Sequence, residues 1–356
     1  FTVRVENSGN SAVSGTSGLV TVAYDPATIS IAKVSGDATG EIAGTDQLLR
    51  VNVSDNFANP IAGDSVRFIV RSGGGNLGGA DSVDVATDAA GNTEATLTTG
   101  LTAGTNIVTA LRISDVSDSV QFSVVTVSGG VSYYTLTPAG DSTIVAGDSI
   151  AYTLRAFDQF DNAVANTDTV SLTAVGSSTA GFSPGPYLFA GNDSLTFRVS
   201  DTTAGSFTAR ADNNNNPAVS VQSGLITVNP DPATISIAKV SGDATGEIAG
   251  TNQLLRVNVS DNFANPIAGD SVRFIVRSGG GNLGGADSVD VATDAAGNTE
   301  ATLTTGITAG TNIVTALRIS DVSDSVQFSV VTVSGGVSYY TLTPAGDSTI
   351  VAGDSI

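Results

Sequence analysis

The chain has 356 residues and a mass of 35.4 kDa, with 40% apolar and 13% charged residues, enough to build buried cores and, by length, roughly three domains. Cysteine, methionine, tryptophan and histidine are absent, which excludes Ser-His-Asp and Cys-His nucleophiles, thiolate or imidazole zinc sites and a disulfide framework. With 14 Lys+Arg against 34 Asp+Glu, a net charge of −20 excludes the basic stripes that nucleic acid and anionic membranes require, and no apolar run approaches the ~18 residues of a membrane span.

The dominant feature is repetition. Sliding the sequence by 206 residues sets Phe1 on Phe207 and Ile150 on Ile356, and from Asp25 and Asp231 onward only Asp46/Asn252 and Leu101/Ile307 differ. A weaker repeat at half that period sets Asp55, Phe57 and Asn59 on Asp158, Phe160 and Asn162. Two diverged modules, A and B, therefore alternate.

In chain order, residues 1–24 match the C-terminal part of a B module. Module A, residues 25–129, holds seven apolar runs of period two: TISIAKV, QLLRVNV, SVRFIV, SVDVA, EATLTT, NIVTALRI and SVQFSVVTV. Turn signals separate them at Asn59-Pro60, at the glycine-rich stretch Gly73 to Gly79 and at Asp88 to Asn92. Module B, residues 130–230, repeats the pattern with SYYTLTP, SIAYTLRAF, TVSLTAV, PYLFA, DSLTFRV, SFTARAD and SGLITVN. Module A recurs at 231–335, and 336–356 match the N-terminal part of a further B module. Seven short Thr/Val/Ile-rich strands in about 100 residues predict an immunoglobulin-like β-sandwich. The fold class expected is therefore all-β, as tandem sandwiches in an elongated rod, and the module order reads as a window on a longer array. The joints, VSGGVS around Gly129 and the DPA segments at Pro26 and Pro232, are short and partly stiffened by proline.

Few residues invite a chemical reading. Asp55-Asn-Phe57-Ala-Asn59 and Asp158-Gln-Phe160-Asp161-Asn162 follow the second long run of each module. As turn chemistry, Asp caps its own turn, Phe plugs the sandwich end and Asn takes the left-handed conformation. As an alternative, Asp158, Asp161 and Asn162 are candidate calcium ligands, because a carboxylate pair near a joint begins the oxygen cage that calcium needs; no other cofactor is implied. The loop from Arg71 to Ser82 lacks the Lys and helix of a phosphate cradle and reads as a connection. Asn213 to Asn216, ahead of Pro217, reads as a solvated hairpin tip and a candidate contact surface. Of the adjacent rings Tyr133 and Tyr134, and their copies Tyr339 and Tyr340, one is expected in the core and the other against a neighbouring module. Lys33, the lone lysine of its 206-residue unit, has no asparagine on the last run to support an isopeptide crosslink. Only five glutamates occur, and no catalytic set is proposed.

The ordered elements VSDNFANPIAGDSVRFIV, the glycine-rich loop and ATDAAGNTEATLTTGLTAGTNIVTA resemble the bacterial immunoglobulin-like domains of invasin and intimin type surface adhesins. The resemblance covers roughly 75 residues of each A module, with Ala58 where the family has a turn glycine, and is weaker in B. It implies an extracellular, cell-surface and non-catalytic segment: a stalk, spacer or fibre whose partners are the neighbouring modules of the same polypeptide. Two alternatives stay open at this point, an adhesive module for a surface glycan or protein and a filament subunit that completes its end modules by strand exchange with identical chains.

Overall fold

The computed structural model describes residues 1–183, 185–342 and 352. A two-stranded hairpin, β1 (Arg4–Asn7) with β2 (Asn10–Thr16), comes first and is solvent-exposed throughout. Three separate hydrophobic cores follow, within residues 31–124, 134–228 and 237–330.

The first sandwich is built from β3 (Ser30–Ser35), β4 (Ala38–Ile42), β5 (Asp46–Ser54), β6 (Ser65–Ser72), β7 (Ser82–Ala86), β8 (Asn92–Thr98), β9 (Thr105–Arg112) and β10 (Ser119–Val127). One sheet has the order β3-β5-β8 and the other β4-β10-β9-β6-β7. Alternation decides which residues meet between them: in β8 Thr93, Ala95 and Leu97 are buried while Asn92, Glu94 and Thr96 face out. Leu49, Val51 and Val53 from one sheet meet Phe68, Val108, Ala110, Phe122 and Val124 from the other, and the Phe68 and Phe122 rings stack at 6.5 Å. Fully burying each such side chain contributes about 1.5–3 kcal/mol.

Eight strands form where seven were expected. The additional one, β4, lies next to Gly36, where the chain crosses from one sheet to the other. Gly36 has φ 137°, and a Cβ there would lie 2.9 Å from both the Leu49 backbone and the Phe122 ring. β4 then pairs parallel with β10, Ala38 opposite Val124 and Ile42 opposite Val127. Its sequence, ATGEI, shows little alternation because it is held along one edge by backbone pairing and buries little side chain.

The second sandwich comprises β11 (Tyr133–Thr137), β12 (Ser142–Val145), β13 (Ser149–Phe157), β14 (Val170–Val175), β15 (Gly181–Phe182), β16 (Ser194–Ser200), β17 (Gly205–Asn213), β18 (Ser220–Gln222) and β19 (Ile226–Asn229). Its sheets run β11-β13-β16-β15 and β12-β19-β17-β14, with β18 on β17. As in the first sandwich, a short strand, β12, pairs parallel with the last one. PYLFA is not a regular strand: Leu188 makes a single bridge to Thr169, and Phe189 enters the core as an anchor stacked on Tyr134. The third sandwich repeats the first, including the parallel pair Ala244–Ile248 with Ser325–Val333. Residues 336–342 are exposed, and most of the expected B-type segment 336–356 lies outside the described residues.

One buried ionic cluster recurs in both A-type sandwiches. Arg112, its side chain 9% exposed, donates to Asp64 at 2.7 Å, to Asp118 at 3.3 Å and to the Ile29 carbonyl at 3.3 Å. Asp118 in turn accepts from the Ile31 amide. Desolvation opposes the guanidinium charge, but the bonds and charge of Asp64, then Asp118, outweigh it and raise the Arg112 pKa. The cluster pins the start of β3 to the loop after β9, and Arg318 repeats it with Asp270 and Asp324.

Candidate functional site

Each sandwich carries the same five-residue turn at the end of a long strand: Asp55–Asn59 after β5, Asp158–Asn162 after β13 and Asp261–Asn265 after the strand Asn252–Ser260. The aspartate caps it. Asp158 Oδ1 accepts from the amides of Phe160 at 2.8 Å and Asn162 at 2.9 Å, and Asp55 and Asp261 do the same in their turns. The fourth residue takes the left-handed conformation, with φ 62° at Ala58, 65° at Asp161 and 64° at Ala264. The sequence expectation gave that conformation to the asparagine; the structure assigns it one residue earlier, which frees the asparagine side chain.

The second carboxylate oxygen reaches the linker. Asp158 Oδ2 accepts from the Gly129 amide at 2.8 Å, while Asp55 and Asp261 accept from Asp25 and Asp231, each at 2.9 Å. Desolvation works against the Asp55 charge, but donation from the Asn59 side chain and the amides of Asp25, Asn59 and Phe57 prevails, lowering its pKa to about 2. The same causes lower Asp158 and Asp261.

The asparagine reaches the preceding sandwich. Asn162 donates to the Leu101 carbonyl and accepts from the Ala103 amide, both at 2.8 Å, clasping the T-A-G loop between β8 and β9. At the next joint Asn265 donates to the Thr202 carbonyl at 2.9 Å and accepts from the Ala204 amide at 2.7 Å. The aromatic ring sits beside this clasp. A methyl group at Gly44 would lie 3.1 Å from the Phe160 ring, and one at Gly147 only 2.7 Å from that of Phe263. Phe therefore does not plug its own sandwich end, as the sequence suggested; it packs on the end of the sandwich before it.

The A modules are nearly identical, so they supply an internal comparison. Phe263, seated on the second sandwich, is 39% exposed, whereas Phe57, with no sandwich against it, is 72% exposed. Asn265 is buried and Asn59 half-buried. On the receiving side Leu101 is 54% exposed beneath Phe160, and its counterpart Ile307 is 92% exposed. A third of an aromatic side chain's roughly 200 Å2 corresponds to about 1.5–2 kcal/mol of apolar burial.

Of the calcium candidates, the structure brings Asp158 and Asn162 together and turns the Asp161 carboxylate to the Tyr133 hydroxyl, 2.5 Å away. Both oxygens of Asp158 are filled by N–H donors, which a cation would have to displace. Among the described residues no three acidic side chains converge as metal ligands. The other singled-out residues have local roles. Tyr134 is buried as expected, but Tyr133 stacks at 5.4 Å on Phe157 of its own sandwich instead of on a neighbour. In the Asn213–Asn216 tip, Asn214, Asn215 and Asn216 are exposed as expected, and the tip is tied down by side-chain bonds. Asn213 is buried and donates to Asp168 Oδ2, Asn215 donates to Asp168 Oδ1, and Asn214 bonds Ser171 and Thr169. Lys33 pairs with Asp37 at 2.6 Å and lies over the Phe122 ring.

The strand order and the two facing sheets decide the fold. These domains are immunoglobulin-like sandwiches. They resemble those of bacterial adhesins: invasin, described as a bacterial integrin-binding protein, at 17% identity and TM-score 0.39 over 86% of this chain; the Escherichia coli adhesin FdeC at 18% and 0.42 over 88%; and Yersinia pseudotuberculosis InvD at 14% and 0.42 over 85%. The chain spans 60% of the invasin chain and 100% and 96% of the other two. No family model and no curated protein matches the chain. What distinguishes these immunoglobulin-like sandwiches chemically is the joint: a turn that caps itself, holds the linker and grips the domain before it.

Proposed function

We propose that this chain is a non-catalytic structural segment of a bacterial surface protein of adhesin type, a stalk that holds successive sandwiches at a set spacing outside the cell. The observation that carries this reading is the repeated clasp: both internal joints use the same turn, the same two asparagine bonds and the same aromatic contact. A flexible tether would need none of these.

The parallel pairing of β4 with β10, and its equivalents, supports the reading mechanically. Strands near the two ends of each sandwich run side by side in the same direction, so tension loads their hydrogen bonds together in shear instead of one at a time. The acidic net charge of −20 keeps neighbouring rods apart. Pulling single molecules from their ends tests this. Three unfolding events are expected, each lengthening the chain by about 300 Å for about 100 residues at 3.3–3.6 Å per residue. One low-force event, or a gradual extension without steps, would sink the load-bearing reading.

A further inference from the structure

The two internal joints join different partners. In the first, a B-type turn grips an A-type loop with Leu101 at the gripped carbonyl; in the second, an A-type turn grips a B-type loop with Thr202 there. The flanking residues differ as well, since Gly100 precedes Leu101 whereas the buried Asp201, bonded to Ser177 and Thr179, precedes Thr202. Despite this, the asparagine makes the same pair of bonds within 0.1 Å, and every bond it makes to the other sandwich goes to backbone. The aromatic contact likewise falls on a glycine at both joints, Gly44 with φ 82° or Gly147 with φ 89°.

We infer that the D-x-F-x-N turn and the T-A-G loop with its partner glycine form a docking pair that reads backbone, so that a sandwich of either type seats on a sandwich of either type. Neighbour identity is then not encoded at the joint, and the alternation of A and B has no origin there. The partner this surface fits is any such sandwich presenting a backbone carbonyl two residues before an alanine amide, beside a glycine. The inference does not depend on what the assembled segment is for.

The chain contains no cysteine, so introduced pairs can be spin-labelled without background. Labels at Ser82→Cys and Thr196→Cys report the first joint, and Thr196→Cys with Ser288→Cys the second; all three positions are exposed. Narrow distance distributions are expected in the parent. Asn162→Ala should broaden only the first and Asn265→Ala only the second, while exchanging the socket residues, Leu101→Thr with Thr202→Leu, should leave both narrow. Asn59→Ala is the control, because Asn59 makes the same bond to its own Asp55 as Asn265 makes to Asp261 but grips no neighbour. It should change neither distance. Broadening by the exchange would overturn backbone reading. Narrow distributions in Asn162→Ala and Asn265→Ala, or broadening in Asn59→Ala, would show that the asparagine does not act by gripping the neighbour.

Discussion

At the scale of single residues, the joint turn contains a strained position. Ala58 and Ala264 hold left-handed φ values of 62° and 64°, a conformation that costs an L-residue about 1–2 kcal/mol. Ala264→Gly should therefore stabilise the third sandwich by up to about 1 kcal/mol, read as a higher denaturant midpoint. The capping aspartates give the joint a pH dependence. Their carboxylates are lowered in the folded chain, Asp55 to about 2 from an ordinary 3.8, so their contribution is present in full above the ordinary value and is lost as pH falls through the folded one. Asp158 and Asp261, which cap the two joint turns, are lowered in the same direction, so the joints should hold at pH 4 and loosen as pH falls further below the ordinary carboxylate value, with inter-sandwich distances broadening before the strands melt. Broadening already at pH 4 would contradict this. The turn itself was legible in the sequence, since D-x-F-x-N is recognisable turn chemistry. The direction of its side chains was not, because a one-residue difference in which position goes left-handed decides whether asparagine faces its own loop or the next domain.

At the scale of elements, alternation located the long strands and missed those held by backbone. β8 and β9 bury every second side chain and could be read directly, whereas β4 and β12 are four or five residues long and pair along one edge, too short to show a period even where β12 buries Ile144. The buried cluster around Arg112 was equally hidden, because Asp64, Asp118 and Arg112 lie on separate segments that only the closed sandwich brings together. Removing one partner leaves a guanidinium buried with half its compensation. Asp64→Ala is expected to destabilise the first sandwich by about 3–5 kcal/mol, while the exposed Arg50 to Glu94 pair on the outer face should be worth about 0–1 kcal/mol. Thermal or denaturant unfolding of Asp64→Ala and Glu94→Ala compares them; equal losses would mean that the cluster is not the device pinning β3.

At the scale of the whole molecule, three sandwiches with separate cores meet through small joints bridged by asparagine and aspartate side chains. At the first joint the oxygens of Asp158 accept from the amides of Gly129, Phe160 and Asn162, which a cation would have to displace. A chelator should therefore leave both inter-sandwich distance distributions unchanged, and added calcium should not narrow them. A calcium-dependent narrowing at the first joint alone would restore Asp158, Asp161 and Asn162 as ligands. Charge acts at this scale too: with 34 acidic and 14 basic side chains, chains repel one another, and lateral association should increase with salt as the field is screened.

The sequence by itself determined the repeat, the all-β class, the long strands and the exclusion of histidine and cysteine chemistry, because period, composition and spacing are properties a linear chain already has. Only the tertiary structure showed what the recurring turn touches. The T-A-G segment and the D-x-F-x-N turn that grips it lie about 60 residues apart, as Ala103 and Asn162 or Ala204 and Asn265, in different sandwiches. No local pattern links them. Each has an adequate local explanation as a loop or a turn, and their shared role appears when two folded domains place a backbone carbonyl and amide within reach of one asparagine side chain.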